Sequence, residues 1–104
     1  MSEPFSVKVT VEGEVTVLAL GGEFDLGGLA RFNEAMATVD PSTERVVIDL
    51  AELTFIDSTG LGCFARSHNE LEARGAKLVL LGPSKAVRRL IDMVDLGAST
   101  EIID

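Results

Sequence analysis

Residues 46–62 read Val46-Val47-Ile48-Asp49-Leu50-Ala51-Glu52-Leu53-Thr54-Phe55-Ile56-Asp57-Ser58-Thr59-Gly60-Leu61-Gly62. The first five make a β-branched, almost unbroken apolar run, the composition of a central strand buried on both faces. Past Ser58, Leu61, Phe64, Ala65 and Leu71 fall on one side of a helix expected over residues 59–74, which Gly75 stops. A strand that passes through a loop into a helix is one βα unit, and the chain then repeats it. Lys77-Leu78-Val79-Leu80-Leu81 reads as a second buried strand. Gly82-Pro83-Ser84 then opens a helix capped by Ser84, with Val87, Leu90, Ile91 and Val94 at i, i+3, i+4 and i+7. Gly97 is expected to end that helix, and Ile102-Ile103 to add a short edge strand.

Upstream, Phe5-Ser6-Val7-Lys8-Val9-Thr10-Val11 alternates apolar and polar residues, the period of a half-exposed strand. Glu12-Gly13-Glu14 turns it into the more apolar Val15-Thr16-Val17-Leu18-Ala19-Leu20, so the two runs read as a β-hairpin. Gly21-Gly22-Glu23-Phe24-Asp25 should lead into a helix with Asp25 as N-cap and Leu29, Phe32, Met36 and Val39 on its apolar face, ended by Asp40-Pro41. Gly27 and Gly28 in its first turn would weaken it by up to about 1 kcal/mol each relative to alanine. An N-terminal hairpin followed by βαβα units predicts an α/β fold. Its mixed four- to five-stranded sheet should carry the helices mainly on one face, with one domain spanning residues 1–104.

Composition narrows the function. The 104 residues suit one compact domain, monomeric by itself. No apolar stretch approaches bilayer length, and residues 1–10 lack the basic start and apolar middle of a signal peptide, so a cytoplasmic protein is expected. One cysteine (Cys63) and one histidine (His68) cannot furnish a cysteine-rich metal site, and no metal or cofactor is expected. Nine basic against seventeen acidic residues leave a net charge of −8, which argues against nucleic acid and anionic membranes and for a partner with a basic patch. With no tryptophan or tyrosine, an interface built on large amphipathic aromatics is not expected. No Gly-x-Ser-x-Gly elbow, Walker A sequence, dinucleotide fingerprint or phosphate-cradling loop occurs, so catalysis is not expected. Asp57 after a central strand brings a receiver domain to mind, but the acidic pair at the end of a first strand is missing and Lys85 stands in the wrong context.

Residues 49–62, with Asp57-Ser58-Thr59-Gly60-Leu61-Gly62 at their centre, strongly resemble the signature of the STAS family, the sulfate-transporter and anti-sigma antagonist fold. Gly22-Glu23-Phe24-Asp25 and Gly82-Pro83-Ser84-Lys85-Ala86-Val87-Arg88-Arg89 extend the resemblance over nearly the whole chain in the expected order. Among its bacterial anti-sigma factor antagonists, the family implies a protein whose unphosphorylated form binds an anti-sigma factor that is also a serine kinase, freeing the sigma factor. That kinase then phosphorylates the serine after the motif's aspartate and the complex parts. Carried onto this sequence, the acceptor is Ser58, with Thr59 the adjacent hydroxyl. The partner-binding residues would be Asp25, Asp57, Ser58, Thr59, Gly60 and Gly62. A serine phosphatase is a further partner that the resemblance leaves open. Free-standing STAS proteins also serve lipid-transport ABC systems as accessory subunits, or belong to stress-signalling assemblies, and fold alone does not decide between these.

The residues allow plainer readings. Taken alone, Ser58 is an ordinary helix N-cap and Asp57 a competing one. Asp57 would otherwise orient the hydroxyl or touch the kinase. Asp25 is a helix cap first. Gly60 and Gly62 give a kinase loop room, or let helix and sheet pack closely. His68 belongs at the edge of the core, Cys63 in a packing role or as an inert thiol, and Arg88 and Arg89 on a solvated helix side. At the start of a helix, unpaired amides and the positive end of the dipole would tolerate a phosphate on Ser58 without unfolding.

Overall fold

The N-terminal alternation folds as β1 (Ser6–Glu12), which turns at Gly13 and pairs antiparallel with β2 (Val15–Phe24). The computed structural model describes residues 3–94, 96 and 100–104. After β2 come a 3-10 turn (Leu26–Gly28), α1 (Leu29–Ala37), β3 (Arg45–Ile56), α2 (Ser58–Ala73), β4 (Lys77–Leu81), α3 (Lys85–Asp92) and β5 (Glu101–Ile103). The five strands lie in sequence order in one sheet, parallel from β2 onward, with the helices mainly on one face. This is the expected α/β fold with the larger of the two strand counts.

One side of the sheet makes the core. Leu18 lies level with Ile48 and Leu80, and Val46 with Leu78, and these are buried together with Leu20 and with Phe32, Phe64, Val87 and Ile91 from the helices. Val47 and Asp49 point the other way and are only half-buried, so β3 is not the doubly buried strand its composition suggested. The alternation of β1 is likewise only partly used. Phe5 is 7% exposed, Val9 37% and Val11 64%, so the helix layer covers only the start of that edge strand.

Two strands run farther than expected. β2 continues past Leu20 through Gly21-Gly22-Glu23-Phe24, and β3 past Leu50 to Ile56. Residues 51–56 had the look of a loop because the nearly continuous apolar run ends at Leu50. They stay extended because Glu52, Leu53, Phe55 and Ile56 pair with Gly21, Gly22, Glu23 and Phe24 across two register shifts. β4 pairs with β3 only as far as Asp49, so β2 and β3 form a two-stranded ribbon beyond it.

The glycines before α1 have a different job from the one expected. The α-helix starts at Leu29, and Gly27 and Gly28 belong to the preceding 3-10 turn. Asp25 caps that turn by accepting from the Gly27 amide at 3.0 Å. A Cβ on Gly28 would stand 2.6 Å from Cδ2 of Phe5 and 3.2 Å from Cδ1 of Phe24, so the glycine admits the Phe5 ring to the core. The turn is thus fixed at both ends. α2 ends where expected, at Gly75 with φ +80°, and Ser84 caps α3 by accepting from the Val87 amide at 3.2 Å. α3 closes at Asp92, so Val94 lies beyond it and is exposed. Gly97, expected to end that helix, lies outside the described residues.

Candidate functional site

Where β2 and β3 end, the backbone ties their exits together. The Asp57 amide donates to the Phe24 carbonyl at 3.1 Å, so the turn that begins with Asp25 and the helix that begins with Ser58 spring from adjacent points. Beneath them lies an aromatic cluster around the fully buried Phe24, stacked on Phe5 with ring centroids 4.3 Å apart and tilted against Phe32 at 5.3 Å. Phe64 meets Phe24 edge-on at 6.0 Å. Such ring pairs add about 0.5–1.5 kcal/mol each beyond area burial, so the platform under the site is rigid.

Of the two candidate caps, Asp57 is the one used. Its backbone is extended, and its Oδ1 accepts from the amides of Thr59 at 2.9 Å and Gly60 at 3.3 Å. Ser58 is therefore the first helical residue rather than the cap, and it follows a strand end rather than a loop. Its side chain is exposed and its hydroxyl has no hydrogen-bond partner among the described residues. That serine is spared structural work. Asp57→Ala is expected to destabilise the fold by about 1 kcal/mol, a loss of about 4–8 °C in Tm for a domain of this size, read by thermal circular dichroism. Ser58→Ala should shift the melting curve by much less.

The amides that were to receive a phosphate are partly taken, since the Asp57 carboxylate already holds those of Thr59 and Gly60. A phosphate on Ser58 would retain the dipole's attraction but meet a carboxylate at the same helix end. The exposed Ser58 side chain would hold it facing outward, over the surface.

The other expected site residues separate by depth. Asp25 is exposed and Thr59 half-buried. Gly60 is buried, and a Cβ there would stand 2.6 Å from Cγ1 of Ile56 and 3.0 Å from Cδ2 of Phe24, which settles it as a packing glycine. Gly62 is half-buried, and a Cβ there would meet only Nη1 of Arg66, at 3.8 Å, so it lies on the open side.

A segment the sequence did not single out borders the site. Residues 3–5 lie along the end of β2, where the Glu23 amide donates to the Glu3 carbonyl at 3.2 Å and Arg31 Nη1 to the Phe5 carbonyl at 3.1 Å. Gly22, at φ +76°, makes room for it: a Cβ there would stand 2.8 Å from the Pro4 carbonyl carbon. Together with Asp25 and Gly27 this strap lines a shallow cleft beside the turn. The double glycine at 21–22 was the one signal for it.

Elsewhere the plain readings mostly hold. His68 is buried at the core edge with Nε2 3.2 Å from Oε2 of Glu72. Cys63 is buried, and burial pushes its thiol pKa up, as expected of a packing residue rather than a nucleophile. Arg88, expected on a solvated side, is instead half-buried and ion-paired with Asp92 at 3.0 Å and Asp104 at 2.6 Å, whereas Arg89 is exposed. Among the described residues no three of His, Cys, Asp or Glu converge to hold a metal ion, and no helix is long and apolar enough to cross a membrane.

The STAS domain family matches residues 6–104. The anti-sigma-B factor antagonist of Listeria monocytogenes is 34% identical over 84 residues, 80% of this chain and 74% of its own length. An anti-sigma factor antagonist from Mycobacterium paratuberculosis superposes with a TM-score of 0.85 at 25% identity, over 99% of this chain and 90% of that one. The Bacillus cell fate determinant SpoIIAA in its phosphorylated form does so with a TM-score of 0.72 at 26% identity, over 95% and 90%. Strand order, the strand-to-helix junction at Asp57 and a match over nearly the full chain agree: the protein belongs to the STAS domain family.

Proposed function

We propose that this protein is a cytoplasmic anti-sigma factor antagonist that works by binding rather than catalysis. Unphosphorylated, the surface around Ser58 docks on an anti-sigma factor of the serine-kinase type and so releases the sigma factor. Phosphorylation of Ser58 by that kinase ends the complex. Asp25, Asp57, Ser58, Thr59 and Gly62 contribute the contact surface, and Gly60 holds it against the core. The observation that carries this reading is Ser58 itself: an exposed hydroxyl with no structural task, on the first residue of a helix anchored by its neighbour. The names of the relatives point the same way.

The test is affinity capture from the native cell extract with wild-type protein and Ser58→Glu side by side. Wild type is expected to retain an ATP-binding anti-sigma kinase, identified by mass spectrometry, and Ser58→Glu to lose it. Equal recovery of transporter subunits on both baits would overturn the reading in favour of an accessory subunit.

A further inference from the structure

Large apolar side chains left in water on a rigid frame are the natural anchors of an interface, because binding gains their burial without paying to order them. Two of them stand at the end of the β2–β3 ribbon. Leu26 is 70% exposed, the residue after Asp25 in the turn fixed by Asp25 and by the Phe5–Gly28 contact. Phe55 is 44% exposed, three residues before Ser58, paired with Glu23 and pointing away from the core side that Ile56 enters. One isolated exposed leucine means nothing, since folded proteins show many. Here the Phe24 carbonyl–Asp57 amide bond joins the two segments, so both residues lie within two positions of the junction at the start of α2. Leu26, at that exposure, contributes little to the fold.

Resting on the antagonist reading, we infer that Leu26 and Phe55 are the apolar anchors by which the anti-sigma partner grips this chain at the junction that carries Ser58. Glu23, Asp25 and Asp57 surround them, so the partner that fits is apolar at its centre and basic around it, in keeping with the net charge of −8. Specificity for the unphosphorylated form then has a simple basis. The anchors supply most of the affinity, and a charge added at the same junction, on Ser58, disfavours the contact that buries them. Phe55 gives this surface an aromatic anchor in a chain that has neither tryptophan nor tyrosine.

The experiment measures binding of the anti-sigma kinase recovered by capture to wild type, Leu26→Ser, Phe55→Ser, Lys8→Ser and Ser58→Glu, with melting curves for each. Leu26→Ser and Phe55→Ser are each expected to weaken binding tenfold or more, with Leu26→Ser melting as wild type does. Lys8→Ser, on β1, should leave binding within twofold. If wild type binds and Ser58→Glu does not, but both anchor variants stay within twofold of wild type, the anchors are refuted and the switch stands. If wild type binds no anti-sigma kinase, the antagonist reading falls and takes the anchors with it.

Discussion

Incubation with the partner kinase and ATP is expected to lower the affinity of this protein for that kinase at least about a hundredfold, while Ser58→Ala keeps its affinity through the same treatment. A hundredfold loss corresponds to about 3 kcal/mol. Phosphorylation adds roughly −1.5 to −2 charges, next to an Asp57 carboxylate that already occupies the nearest helix amides. The phosphate therefore finds little neutralisation within its own chain and must be desolvated against the partner. The aromatic platform and the Asp57 cap do not involve the Ser58 hydroxyl, so the domain should not rearrange. Titration calorimetry before and after phosphorylation reads the affinity. Amide chemical shifts should change around residues 24–27 and 55–62 and little elsewhere. Phosphoprotein that binds within threefold of the unmodified form, or phosphate found on Thr59 instead, would sink the switch as described.

Gly22→Ala is expected to be the most damaging single-methyl substitution, costing about 2–4 kcal/mol and roughly 10–25 °C in Tm. Two costs coincide there. The backbone holds a φ of +76°, and the new carbon would stand against the Pro4 carbonyl, 3.0 Å from that of Glu3. Both are backbone atoms, so no rotamer change relieves the contact. Gly13→Ala separates the two costs, because Gly13 has φ +61° and nothing within 4 Å of the added carbon. Its loss should be about 1 kcal/mol, and the difference between the variants measures the seating of residues 3–5. Equal losses in both would mean that the strap contributes nothing.

Much of this could be read in the sequence. The βαβα rhythm, the stop at Gly75 and the cap at Ser84 come from local chemistry, and local chemistry decided them in the fold. What escaped was decided by partners distant in sequence. Serine and aspartate are nearly equal as N-caps, so the sequence leaves Asp57 and Ser58 in competition. The backbone bond from Asp57 to Phe24 helps place Asp57 at the junction and Ser58 one position into the helix. Glycines at 21, 22 and 27–28 read as breaks, yet the first two lie within β2 and Gly28 lets Phe5 into the core. Phe5 looked like one member of an alternating strand, and only the folded chain shows it stacked under the site. Of the motif's two glycines, one turned out to be buried and the other open, a division that sequence symmetry hides.

The strap also sets a practical rule for handling the molecule. Glu3 lies on the rim of the cleft beside Asp25, so a purification handle fused ahead of it starts close to the proposed docking ground it is meant to report on. Asp104 offers a better exit. β5 aligns through Leu81 with Asp49, six residues short of Phe55 along β3, or about 20 Å of extended strand. A bait tethered through its carboxyl end would present Ser58 to incoming proteins unobstructed.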